Sequence, residues 1–192
     1  MTDTLHIDPA RVARLRDPKR LEDLDPELVW HAITPLPDGV IVDVGAGVGF
    51  LTLPFANKFP RARIYACDIL PGMLELLQES AAAQALANID CVQMEEMAIA
   101  LPDQHADLII MSQVHHELTH PQALLADCHR VLKAGGSLAI IDWKDEDNGK
   151  SPAAGRRVPE PTIRAQMVEA RFTDIQSHPL YVYHNFVTGK VV

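Results

Sequence analysis

The chain has 192 residues, 47% of them apolar and 22% charged, and its 17 Lys and Arg against 26 Asp and Glu give a net charge of −9. That length suits one domain with a full core, and that charge leaves no broad basic surface to hold a nucleic acid backbone, so no nucleic acid partner is expected. No apolar run approaches a membrane span and the opening MTDTLHIDPARVARLRD lacks the apolar segment of a secretory signal, so the expectation is a cytoplasmic protein with no membrane partner, a monomer or homodimer.

Residues 1–24 form a polar leader made basic by Arg11, Arg14, Arg16, Lys19 and Arg20, read as a lid or a tail, and residues 25–192 form one domain. DPELVWHAI begins that domain as a short helix with Asp25 as its cap and Pro26 in its first turn. Val40 to Val44 is a buried strand that runs into glycines, and GFLTLPFANKF follows as a helix that Pro54 kinks or opens. ARIYACD is a second strand, PGMLELLQESAAAQAL a second helix after the sheet begins, and IDCVQM a third strand. ADLIIMSQ is a fourth, PQALLADCHRVLK a helix, and GSLAIIDW a fifth. Strands alternating with helices, and reading as nearly continuous apolar runs, predict a parallel sheet covered on both faces. After the polar loop DEDNGKSPAAGRRVPEP and a last helix, PTIRAQMVEARF, come FTDIQSH and LYVYHNFV. At most His178 and Pro179 separate those two strands, too few for a helical crossover, so they are expected to pair antiparallel. The fold class is α/β: a Rossmann-like three-layer sandwich whose seven-stranded sheet is mostly parallel, with the last strand antiparallel. Cys67, Cys91 and Cys128 each lie in an apolar run without CxxC spacing and read as buried small hydrophobes.

The first strand ends in DVGAGVGF, with Gly45, Gly47 and Gly49. A dinucleotide fingerprint would put its third glycine where Phe50 stands, and a P-loop would need a Gly-Lys pair that is absent. The G-x-G-x-G turn still lets backbone approach a ligand closely, because no Cβ stands in the way. Asp43 inside the strand end and Asp68 at the end of the next strand add carboxylates, the second placed to accept from ribose hydroxyls.

These residues resemble the class I S-adenosylmethionine-dependent methyltransferases of the small-molecule, UbiE-like type, over most of the chain from Pro37 onward. VDVGAGVGFLTLPFA is similar to the family's first motif, IYACDILPGMLELLQ to its second, and LLADCHRVLKAGGSLAIIDW to its later helix, turn and fifth strand, with Ala134 where proline is usual. Arg171 stands where a glycine usually precedes the last Phe. The resemblance implies S-adenosyl-L-methionine as cofactor, with Asp43, Gly45, Ala46, Gly47 and Gly49 around its methionine part, Asp68 on the ribose and Ile69 on the adenine. Glu95 is implied at the adenine amino group and Glu96 as a backbone contact. It also implies methyl transfer to a small-molecule acceptor by direct displacement. A cationic sulfonium without phosphate suits a site of carboxylates without lysine. The alternatives are a cofactor-binding protein without transferase activity, a nicotinamide oxidoreductase and a zinc hydrolase.

The zinc reading comes from HHELTH, in which His116, Glu117 and His120 have the H-E-x-x-H spacing of a metalloprotease. That motif needs one helix face, and Pro121 pushes His120 toward extended geometry and starts a new helix, so the stretch is a turn and no metal is expected. As the carboxyl end of the fourth strand, beside the first, the turn would bring His115, His116 and Glu117 to the transferable methyl as base, substrate contact or orienting group. Asp142 and Trp143 at the end of the fifth strand, and Arg156 in the loop beyond, are candidate substrate contacts.

Overall fold

The computed structural model describes residues 8–192; the first seven residues of the leader lie outside the described part. The leader contains α1 (Pro9–Leu15) and α2 (Arg20–Asp23), and α3 (Pro26–Ile33) follows. Asp25 caps α3 as its spacing predicts, its carboxylate accepting from the Glu27 N–H at 2.9 Å. The alternating core is β1 (Val40–Val44), α4 (Thr52–Lys58), β2 (Arg63–Asp68), α5 (Pro71–Ala83), β3 (Ile89–Gln93) and β4 (Ala106–Ser112). A 3₁₀ turn (His115–Glu117), α6 (Pro121–Val131), β5 (Leu132–Trp143), α7 (Glu160–Glu169), β6 (Thr173–Ser177) and β7 (His184–Lys190) complete it. Pro54 sits in the first turn of α4, where a missing N–H costs nothing.

The strand order is β3-β2-β1-β4-β5-β7-β6. The pairs from β3 to β5 are parallel, and β7 runs antiparallel to both β5 and β6, so it alone is reversed. The order reverses between β1 and β4: connections from β1 move one way along the sheet and those from β4 the other. This is the crevice where open α/β sheets bind ligands. Two apolar layers cover the sheet. One packs Leu124, Leu125 and Cys128 of α6 with Ile163 and Met167 of α7 against one face, and the other packs Val29 and Trp30 of α3 with Phe55 of α4 against the opposite face. Among the described residues no helix is long and apolar enough to cross a membrane.

Three local expectations are corrected. The sixth helix stops at Val131 and the fifth strand begins at once, its register shifting between Ala106 and Leu108, so Leu132 and Lys133 belong to the strand. Leu180 to Tyr183 are not strand, and β7 begins only at His184. The reason is Tyr181: its ring is buried and its hydroxyl donates to the Asp25 carbonyl at 2.7 Å, pulling that segment out of the ladder and under α3. Of the cysteines, Cys67 and Cys128 are buried but Cys91 is half-buried. Burial pushes the Cys67 thiol up to about 12.

Candidate active site

A cavity of about 1050 Å³ opens at the carboxyl ends of the strands and is roofed by the leader. Its floor begins with the glycine turn. Gly45 has φ +72°, and a Cβ there would meet Val114 Cγ2 at 2.3 Å, so this residue lets the β1 turn and the segment after β4 touch. Gly47, at φ +53°, would direct a Cβ into open space on the cavity side, which leaves its backbone bare to a ligand. Gly49 lies outside the lining; a Cβ there would meet Leu53 Cγ at 2.9 Å, so it serves helix packing.

Two carboxylates frame the turn. Asp43 is buried and accepts from the Thr52 hydroxyl at 2.6 Å. Desolvation raises its pKa to about 7, the Thr52 bond opposing and the nearby Asp68 charge adding to the rise. Asp68 accepts from the Gly47 N–H at 2.8 Å with one oxygen and from the Leu70 N–H at 2.9 Å with the other. The glycine turn and the carboxylate thus hold each other in place, and each oxygen keeps a lone pair for a further donor. Ile69, 46% exposed at the cavity, presents an apolar face, and Glu96 lines the same region. Glu95 does not; its backbone is engaged in an isolated antiparallel bridge with Ala98, which turns the next residue to the cavity instead.

The opposite part of the floor is built from the ends of β4, β5 and β7. His116 and Glu117 line it, whereas His115 turns away, buried, with its Nε2 2.7 Å from Gln166 Oε1 of α7. Desolvation lowers the pKa of His115, against the Gln166 bond, so burial favours its neutral form, and its ring packs toward α7 rather than the cavity. Asp142 is buried below the cavity and outside its lining. Its carboxylate accepts from the His116 backbone N–H at 2.8 Å, from His116 Nδ1 at 2.7 Å and from the Trp143 N–H at 2.7 Å. A carboxylate can only accept, so Nδ1 of His116 carries a proton, and in the neutral ring the lone pair is then on Nε2. Nε2 is 3.9 Å from Glu117 Oε1. The H-E-x-x-H residues do not share a helix face: His116 and Glu117 are in the 3₁₀ turn and His120 is an exposed residue preceding α6 at φ −128° and ψ 66°.

Four residues of this region escaped the sequence reading as site residues: Ser112, Gln113, His184 and Arg20, all in the lining. Gln113 adopts φ +56°, unusual for a residue with a side chain, and such strain is held where the surroundings demand it. Its Oε1 accepts from Arg20 at 2.6 Å and its Nε2 lies 2.8 Å from His184 Nε2. His184 stacks on Trp143 with ring centroids 4.3 Å apart, and burial lowers its pKa to about 4. Nothing local marks Gln113 or His184; Arg20 was visible only as one of five basic leader residues. The roof is pinned by Glu117, whose carboxylate lies 3.8 Å from Arg11 of α1 and 3.7 Å from Arg156 of the loop after β5.

The family model described as "Methyltransferase domain" matches residues 42–140, from β1 to β5. A malonyl-[acyl-carrier protein] O-methyltransferase of Hahella chejuensis is 39% identical over 100 residues, 51% of this chain and 34% of that protein. A ubiquinone/menaquinone biosynthesis C-methyltransferase of Cereibacter sphaeroides is 30% identical over 125 residues, 65% of this chain and 49% of that one. The chain therefore spans half or less of the length of these two relatives. The crystal structure of a SAM-dependent methyltransferase from Aquifex aeolicus superposes with a TM-score of 0.87 at 32% identity, covering 97% of this chain and all of that one.

Proposed function

Because this chain belongs to the class I S-adenosylmethionine-dependent methyltransferases, we propose that it transfers a methyl group to a small-molecule acceptor held between the β4, β5 and β7 ends and the leader. S-adenosylmethionine is the cofactor, and it supplies a methyl group activated by a cationic sulfonium.

The residues present fit that group. Gly47 offers bare backbone, Asp68 keeps lone pairs for two adjacent hydroxyls, Ile69 offers an apolar face to a ring, and Asp68 and Glu96, joined by Asp43 in its ionised form, would put negative charge near a cation. In this reading Gly45, Ala46 and Gly47 carry the amino-acid part, Asp68 the ribose, and Ile69 with Glu96 the adenine.

The observation that carries the acceptor assignment is the His116–Asp142 pair. A direct displacement asks the protein to align a nucleophile and take its proton. Asp142 fixes the tautomer and the plane of the imidazole through two bonds to the same residue, one to its backbone and one to its ring. The Nε2 lone pair is then the base, and the imidazolium formed on proton uptake is stabilised by the buried carboxylate. Glu117 is read as a latch: its pairs with Arg11 and Arg156 close the leader and the β5 loop over the site and exclude water. The leader, as a lid on residues 25–192, is part of the same proposal.

The test is transfer of a labelled methyl group from S-adenosylmethionine into the small-molecule, protein and nucleic acid fractions of a cell extract. Label is expected in the small-molecule fraction and lost with His116→Ala, with cofactor affinity retained. Label in protein or nucleic acid instead, or an undiminished His116→Ala, contradicts the reading.

A further inference from the structure

The remaining question is what the acceptor is made of, and the cations of the cavity bear on it. Lys150 is paired with Asp23 at 2.6 Å, while Arg11 and Arg156 share Glu117, and Arg14 and Lys19 are exposed on the leader. Arg20 differs from all of these. It is half-buried in the lining, and among the described residues no carboxylate lies within ion-pair distance of it. Its guanidinium lies 4.0 Å above the Phe50 ring and donates to the Leu15 carbonyl at 2.8 Å and to Gln113 Oε1 at 2.6 Å. Two neutral acceptors fix the plane of the fork through Nη1 and Nη2, and of the five N–H groups of a guanidinium three are left for an anion. Desolvation lowers its pKa to about 10, so the charge persists at neutral pH while its hydration is reduced. A half-buried, oriented, charged fork with no acid beside it among the described residues is an incomplete ion pair there, and a bound carboxylate would complete it.

Its neighbours say which part of the cavity it serves. Arg20 is bonded to Gln113 at the end of β4, Gln113 to His184 of β7, and His184 stacks on Trp143 at the end of β5. Those are the strand ends that also hold His116 and Asp142, whereas Asp43 and Asp68 lie at the ends of β1 and β2 and Glu96 follows β3. Phe50, at the end of the glycine turn, lies under the guanidinium, and Trp143 at the β5 end also lines the cavity with flat apolar surface. We propose that the methyl acceptor is a small organic acid, recognised through its carboxylate by Arg20 with Gln113 holding the fork. This rests on the reading of the β4, β5 and β7 ends as the acceptor site, and it makes Arg20 the residue that sets acceptor charge.

The experiment uses the full chain loaded with S-adenosylhomocysteine. Benzoate, benzamide and phenyl phosphate are titrated while the Trp143 indole N–H resonance is followed, in the wild type, Arg20→Gln and Arg20→Lys. A charged hydrogen-bonded pair should make benzoate about tenfold tighter than benzamide or more, the preference falling to about one in Arg20→Gln and being partly kept in Arg20→Lys. Phenyl phosphate binding well above benzoate would overturn the carboxylate assignment. So would equal binding of benzamide, or a preference that survives Arg20→Gln. The cofactor has a carboxylate of its own, and a parallel titration separates the two sources. If Arg20→Gln weakens S-adenosylhomocysteine tenfold or more and leaves 5′-methylthioadenosine, which lacks that carboxylate, unchanged, Arg20 holds the cofactor and the proposal falls. Failure of S-adenosylhomocysteine to bind folded wild-type protein would be a different result, overturning the methyltransferase reading and this inference with it.

Discussion

The two halves of the cavity are built in opposite ways. The half beyond β1, β2 and β3 is assembled from short local pieces: a glycine turn, the carboxylate at the end of the next strand, and one hydrogen bond from Gly47 to Asp68 that ties them. The half beyond β4, β5 and β7 is assembled from distant residues. His116 bonds Asp142, Gln113 bonds both Arg20 and His184, and Glu117 faces Arg11 and Arg156. A ligand common to a whole family can be held by a compact motif, whereas a chain-specific acceptor is met by side chains that only the folded sheet brings together.

The sharpest way to separate the halves is to remove the proposed base. His116→Ala should lower kcat by about a hundred- to ten-thousandfold, the usual worth of a positioned base, with the affinity for S-adenosylmethionine unchanged. Asp142→Asn should lower it less and shift the pH profile, because the imidazole loses its fixed tautomer; steady-state kinetics with calorimetry checks both.

The junction of the halves is Gly45 against Val114. Gly45→Ala combines a left-handed φ with a Cβ at 2.3 Å from Val114, and should cost about 2–4 kcal/mol of stability in urea unfolding. A milder loss would mean that the two halves move apart freely. Asp68→Ala attacks the cofactor half alone: cofactor affinity should fall about ten- to a hundredfold as charged hydrogen bonds are lost. Binding of acids at Arg20 should survive it.

The pH dependence of the cofactor half follows from Asp43, whose pKa in the folded protein is raised to about 7. The folded state then holds a proton that the unfolded state releases, so the contribution to stability is full below about pH 4 and is lost as pH rises through about 7. A cation favours the ionised form, so S-adenosylmethionine should bind more tightly as pH rises from 5 to 7, and this slope should vanish in Asp43→Asn. A pH-independent affinity in the wild type would mean that Asp43 does not sense the sulfonium.

The smallest effect expected is at Arg171, which ends α7 with φ +69°. Arg171→Gly should stabilise the protein by ~0.5 kcal/mol, relief of left-handed strain exceeding the added chain entropy, read as a small rise in Tm. Neither half of the cavity should notice.

Much of this was legible in the chain. The alternation of apolar strands and amphipathic helices determined the layers, because the periods of helix and strand are local properties of the backbone. DVGAGVGF and the Asp68 strand end marked one wall of the cavity, the wall proposed for the cofactor, since a tight turn needs glycines at fixed spacing and a ribose would need a carboxylate one strand away. Pro121 alone was enough to move HHELTH off a helix. Other features could not be read in sequence order. That His116 lines the cavity and His115 packs against Gln166 depends on which way a 3₁₀ turn faces, and Glu96 replaces Glu95 because of a single bridge to Ala98. The path of Leu180 to Tyr183 depends on one hydroxyl reaching Asp25, far earlier in the chain. Arg20, Gln113 and His184 become one site only when the leader folds across the ends of β4 and β7. Local propensity sets which elements form, but side-chain contacts between residues remote in sequence exist only after the sheet order has fixed their neighbours, and the half proposed for the acceptor consists of such contacts.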